Sequence, residues 1–201
     1  MNHKQVIAIL APLALMVVMY PIFRFLSRAL GERLGWYFGL MTYWVIWGGL
    51  FTTLMIGKEI VLALIQPQKL TLKIALFVLF PLVMSALYRL VPGMDYEKPK
   101  FWVLLLLIST AFGNGFFEEI FWRGMYLQLF PKSILWQIIW PSILFALWHY
   151  IPGSVHSDGN VVGLMVGAGF FGFFLSFLAR YTGTIWWGII AHVLGGIIMV
   201  L

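Results

Sequence analysis

Seventeen residues, Phe101–Phe117, pass without a charge, and Glu118 and Glu119 then stand side by side. The chain has only seven acidic residues in all, so this placement constrains the fold more than any other feature. A charge near the centre of a bilayer costs roughly 2.5–3.5 kcal/mol. Such residues persist where they are paired, line a wet cavity or do chemistry. Arg123 follows Glu119 by four residues, so the stretch Asn114–Arg123 carries its own candidate counter-charge.

The rest of the chain agrees with a membrane setting. Of 201 residues, 62% are hydrophobic and 10% are charged, against about 25% charged in a soluble domain. That leaves too little polar surface for a soluble globule and enough apolar surface for several lipid-facing helices. The expectation is an all-α fold: one multi-pass integral membrane bundle over 1–201, with about seven transmembrane helices. The formal net charge is +6, from 13 basic residues spread over loops and helix ends. There they meet anionic headgroups of the lipid bilayer rather than nucleic acid. The chain has no cysteine, which excludes thiol catalysis, thiolate metal sites and disulfides.

Hydrophobic runs place the spans at about Gln5–Phe25, Trp36–Gly57, Leu72–Val91, Phe101–Phe130, Ser133–Ile151, Val161–Ala179 and Thr184–Leu201. Ser27–Gly35 reads as a basic loop, Lys58–Leu70 as a connector, and Pro92–Lys100 and Pro152–Asn160 as loops. The first run lacks a small-x-small cleavage site and is followed by Arg24 and Arg28, so it reads as a retained span rather than a signal peptide. With seven spans the basic residues split seven to six between the two faces, which gives no orientation under the positive-inside rule. Gly163, Gly167, Ala168, Gly172 and Ser176 form a small-residue stripe that lets another helix approach closely.

Three helical pieces carry ionisable groups at membrane depth: Glu118, Glu119 and Arg123, then His149, then His192. Residues four apart share a helical face, so Glu119 and Arg123 are expected to form a structural ion pair. Glu118 is rotated about 100° from Glu119 and is left free to face a cavity. A partly buried carboxylate facing imidazoles can act as a base on water. His149 and His192 can hold the same water, donate to an oxyanion or protonate a leaving amine. The same three side chains also match a catalytic zinc ligand set of two histidines and one glutamate, although no His-Glu-x-x-His motif is present. Each histidine alone also reads as ordinary hydrogen-bonded packing. His3 and His156 read as solvated. Asn114, one turn before Glu118, can line the same face.

Taken together, Glu-Glu-x-x-x-Arg at Glu118–Arg123, Phe-x-x-x-His at Phe145–His149 and a late intramembrane histidine at His192 resemble the CPBP family. These are CAAX-type prenyl proteases and bacteriocin-processing or self-immunity (ABI) proteins. The resemblance covers about Phe101–Leu201 and makes 101–201 a catalytic core appended to helices 1–100. It implies an intramembrane endopeptidase acting on a peptide or protein at the membrane. Carried over residue by residue, it makes Glu118 the general base, with His149 and His192 assisting. Glu119 and Arg123 then support Glu118, and Phe145 shapes the site. A metal-free glutamate mechanism is expected, with no cofactor; zinc, if bound, would sit on Glu118, His149 and His192.

One position departs from the family. Its last motif is His-x-x-x-Asn or His-x-x-x-Asp, and here the fourth residue after His192 is Gly196. Losing one oxyanion donor can cost roughly 10²–10³ in rate, so another donor such as Asn114 must substitute. Otherwise the chain is a non-catalytic binding or self-immunity protein on the same fold. A small transporter is disfavoured, because no paired broken helices or inverted repeats are seen. Gly188, His192 and Gly196 share a face, which is expected to form a groove toward Glu118 for a substrate backbone. Glu118, His149 and His192 are expected to converge on one polar cavity. Side-chain separations beyond roughly 10 Å, more than one bridging water or metal spans, would exclude a shared site.

Overall fold

A computed structural model describes residues 1–89, 100–155 and 160–200, and all regular structure among them is helical. Helix α1, His3–Leu30, opens on a reciprocal cap: Asn2 Oδ1 accepts from the Gln5 amide and the Asn2 amide donates to Gln5 Oε1, both at 2.9 Å. Pro12 and Pro21 lie inside it without ending it. Helix α2, Glu32–Ile56, follows after Gly31 alone. The basic loop expected at Ser27–Gly35 is therefore a single-residue break. Gly31 has φ 83°, a conformation a side chain resists, and it turns the chain without any further loop.

Gly57, at φ 90°, makes a second such break before the short α3, Lys58–Leu64. The connector expected at Lys58–Leu70 is thus helical in its first half. Next come α4, Leu72–Arg89, and α5, Phe101–Leu129. Helix α6 covers 135–148, α7 is Tyr150–Gly153, α8 is Val161–Thr182 and α9 is Trp186–Val200. Pro152 and Gly153, expected in a loop, complete α7. The expected loop residues 92–99 and 156–159, His156 among them, lie outside the described residues. Of these helices α1, α2, α5 and α8 are long and apolar enough to cross a membrane. Leu72–Leu87 and Trp186–Met199 are apolar but shorter, and α6 begins with a π-helical turn at Leu135–Ile139.

Three of the helices change pitch. Trp44–Phe51 in α2, and Asn114–Glu118 and Ile120–Gly124 in α5, are π-helical. Such wide turns are frequent at functional sites, and here two of them bracket Glu119. The main core draws on both halves of the chain. It joins Leu15, Met19 and Phe23 of α1, Tyr43 and Trp44 of α2, Phe121, Trp122 and Met125 of α5, and Phe145 and Trp148 of α6. A smaller cluster seats Ile74 and Val78 of α4 against Leu175 and Leu178 of α8 and Ala191 of α9.

The small-residue stripe of α8 packs on the site side only in part. Ser176 is buried beside Ser142, with the two hydroxyls 3.5 Å apart, while Gly167 faces open space. At Gly172 a Cβ would lie 2.8 Å from Phe145 Cδ1 and 3.0 Å from Arg123 Nη2. Gly172→Ala is expected to lower the thermal midpoint in detergent by an overpacking cost of about 1–3 kcal/mol. An unchanged midpoint would mean that α8 does not press on Phe145 and Arg123.

Candidate active site

Helix α5 delivers two carboxylates to one point because α9 comes so close to it. A Cβ at Gly115 would lie 2.4 Å from Val193 Cγ2 and 2.9 Å from the Val193 amide nitrogen, so only glycine permits this crossing. One turn further, Glu118 and Glu119 are almost fully buried, at 1% and 0% exposure, and Arg123 is buried with them. Arg123 Nη1 donates to Glu119 Oε1 at 2.9 Å, as the four-residue spacing predicts.

The expected division between the carboxylates needs a correction. Glu119 does not pair with Arg123 alone, because His192 Nδ1 also lies 2.9 Å from the same Glu119 Oε1. The other ring nitrogen, His192 Nε2, faces Glu118 Oε2 at 3.7 Å. Both carboxylates thus meet one imidazole. A π turn holds more residues than an α turn, so successive side chains lie closer in angle around the axis.

A carboxylate only accepts, so His192 Nδ1 donates to Glu119, and Nε2 is the ring nitrogen turned toward Glu118. Glu118 Oε1 accepts a long hydrogen bond, 3.4 Å, from Trp148 Nε1. Glu118 Oε2 and Glu119 Oε2 are buried with no hydrogen-bond partner among the described residues. The unpartnered oxygen of Glu119 occupies the space that a Cβ of Gly188 would take, 2.8 Å away.

His149 sits one residue past the end of α6, where its Nδ1 lies 2.7 Å from the Phe145 carbonyl. A carbonyl only accepts, so this contact puts the proton on Nδ1 and leaves the Nε2 lone pair as the ring's other polar function. Phe145 organises the cluster. Its ring meets His149 edge-on with centroids 4.5 Å apart and His192 at 6.3 Å, and Arg123 lies 4.4 Å over it. Asn114 is anchored from α2, where Trp44 Nε1 donates to its Oδ1 at 2.9 Å. With the oxygen so occupied, the side-chain NH₂ is the function left over.

Several aromatic side chains absent from the expected site define its walls. Tyr43 is tilted over Trp148 at 4.5 Å and accepts from Trp122 Nε1 at 2.8 Å, while Phe23 meets Trp148 edge-on at 6.1 Å. The one sequence hint was that Trp148 adjoins His149. The expected groove on α9 is not open. A Cβ at Gly196 would lie 2.9 Å from Ala111 Cβ, so that face is filled by α5, and Gly188 is filled by Glu119. Among the described residues no three His, Asp or Glu side chains gather as metal ligands. One nitrogen of each histidine is held by a carbonyl or a carboxylate, which leaves Nε2 as the ring nitrogen a metal would take.

Residues 100–198 match a family model described as type II CAAX prenyl endopeptidase Rce1-like. The matched family is a protease family, and the match supports the CPBP assignment drawn from Glu118–Arg123, Phe145–His149 and His192. No curated protein and no solved structure matched the chain. The matched segment begins at the start of α5 and contains every residue of the site except the walls supplied by α1 and α2.

Two outcomes follow from this geometry. Arg123→Ala leaves Glu119 buried without its cation, which typically costs about 3–5 kcal/mol. Expression and thermal midpoint should fall along with activity, and a fully stable but inactive variant would instead assign Arg123 a direct chemical role. Gly196→Asn is expected to lower the thermal midpoint, because the new side chain is built against Ala111. A gain of cleavage without loss of stability would show that this face is open to substrate.

Proposed function

We propose that this chain is a multi-pass intramembrane endopeptidase, of about seven spans, that hydrolyses a peptide bond with a glutamate-activated water. The observation that carries the reading is Glu118 Oε2 facing His192 Nε2 across 3.7 Å, the carboxylate oxygen buried without a hydrogen-bond partner among the described residues. In the proposed reaction, opening of the site to substrate admits one water that donates an O–H to each, about 2.8 Å from both. Its own lone pairs then point away, toward a bound carbonyl. Glu119 sets this polarity by holding the His192 proton on the far nitrogen.

In the proposed reaction the water oxygen attacks the peptide carbonyl carbon and its proton passes to Glu118. The C–O bond forms as the carbonyl π pair moves to oxygen. When the tetrahedral intermediate collapses, the C–N bond breaks and the Glu118 proton goes to the leaving amine. Trp148 holds the other carboxylate oxygen in place throughout. The Asn114 NH₂, oriented by Trp44, serves as the oxyanion donor in place of the family's asparagine. His149 Nε2, beside Phe145, orients the substrate on the leaving-group side. Prenylated C-terminal segments are one substrate class within this reading; other peptides ending in an apolar tail are another.

A second reading has one specific observation in its favour. Gly196 replaces the usual donor and packs on Ala111, as in a binding or self-immunity protein that has lost catalysis. The two separate with detergent-purified protein and quenched fluorescent membrane peptides, with and without a prenylated cysteine. The wild type should cleave at least one. Glu118→Gln should lose about 10²–10⁴-fold at an unchanged thermal midpoint, and chelators should leave the wild-type rate intact. Retained peptide binding without any wild-type cleavage would favour the non-catalytic protein.

A further inference from the structure

A second polar site lies away from Glu118, where α1 ends and α2 begins. Arg24, Ser27, Arg28, Glu32 and Val155 line a cavity of about 210 Å³. A water takes about 30 Å³ in the liquid, so the space suits several waters or one phosphodiester headgroup. Arg24 and Arg28 are four apart on α1, which puts both guanidinium groups on one face. The Arg24 guanidinium is steadied twice: Nη1 donates to the Ser154 carbonyl at 3.3 Å, and Cζ lies 5.7 Å from the Tyr20 ring centroid. Ser27 Oγ is buried with no hydrogen-bond partner among the described residues. Two guanidinium groups and one carboxylate leave the lining with one net positive charge, the complement of a single phosphodiester.

The surroundings suit a lipid more than a soluble anion. The cavity adjoins Gly31, where the chain reverses between two long apolar helices. At the same end Arg33 stacks 5.8 Å from the Trp102 ring, a pairing typical of membrane interfaces. From the cavity an exposed stripe runs back along α1 in steps of three and four. Arg28 and Arg24 lead to Tyr20, Val17 and Leu13, the last three 38%, 74% and 43% exposed. A phosphate held by the arginines would therefore have acyl chains lying along an apolar track in phase with it.

We propose that this cavity binds the headgroup of an anionic glycerophospholipid. Arg24 and Arg28 hold the phosphodiester, and Ser27 and Val155 bound the space it fills. The bound headgroup ties α1 to the segment that follows His149, since Val155 lies on the cavity wall. The adjacent Phe23 packs on Trp148, which reaches Glu118.

Native mass spectrometry of delipidated protein tests the proposal, with phosphatidylglycerol, phosphatidylcholine and inorganic phosphate as probes. The wild type should retain phosphatidylglycerol in preference to phosphatidylcholine. Arg24→Gln with Arg28→Gln should weaken that binding by at least about tenfold. Arg33→Gln, at the same end but outside the cavity, should not. Should the double variant fail to fold, Ser27→Phe, which fills the cavity, must lose the lipid in its place. Wild-type retention in either cavity variant overturns the proposal. So does displacement of the lipid by inorganic phosphate, which would make the ligand a soluble anion.

Discussion

The site hangs on one oxygen atom. Glu119 Oε1 accepts from Arg123 on its own helix and from His192 on the last helix, each at 2.9 Å. The first bond supplies the cation that makes a buried carboxylate tolerable. The second fixes the imidazole's tautomer and so decides what Glu118 faces. Without Glu119 the two helices would still cross at Gly115, but His192 would have no reason to present a lone pair to Glu118. In the proposed reaction the second glutamate of the pair is therefore a positioning residue, and its neighbour is left for the chemistry.

The N-terminal helices, outside the family match, supply the site's outer support. Phe23 and Tyr43 enclose Trp148, Trp122 donates to Tyr43, and Trp44 orients Asn114. These contacts bury indole N–H groups against partners in an apolar setting, where an unpaired donor costs about 1–3 kcal/mol. They explain how the segment matched at residues 100–198 acquires walls from helices that precede it.

Much of this was legible in the sequence because it depends on local spacing and polarity. Glu119–Arg123 followed from a four-residue step, and the meeting of His192 with the glutamates fits the reading of isolated ionisable groups in apolar helices, while His149 is placed against Phe145. What escaped depends on pitch and on distant partners. Both carboxylates reach one ring from a helix that is π-wound on either side of Glu119, and no residue pattern marked those turns. The glycines at 188 and 196 read as an open groove, yet they are filled by Glu119 and Ala111 from α5. A glycine records that something approaches closely and says nothing of what. Trp148 and Tyr43 were lost among many aromatics, which in a membrane chain usually signal packing or the interface. Gly31 turned an expected nine-residue loop into one residue through its positive φ.

If Glu118 and His192 hold a water that attacks the substrate itself, single-turnover cleavage in H₂¹⁸O, read by mass spectrometry, places one ¹⁸O in the new C-terminal carboxylate of the product and none in the peptide containing Glu118. Label in the Glu118 carboxylate would mean that it attacks as a nucleophile, and the water-polarising role would then be wrong.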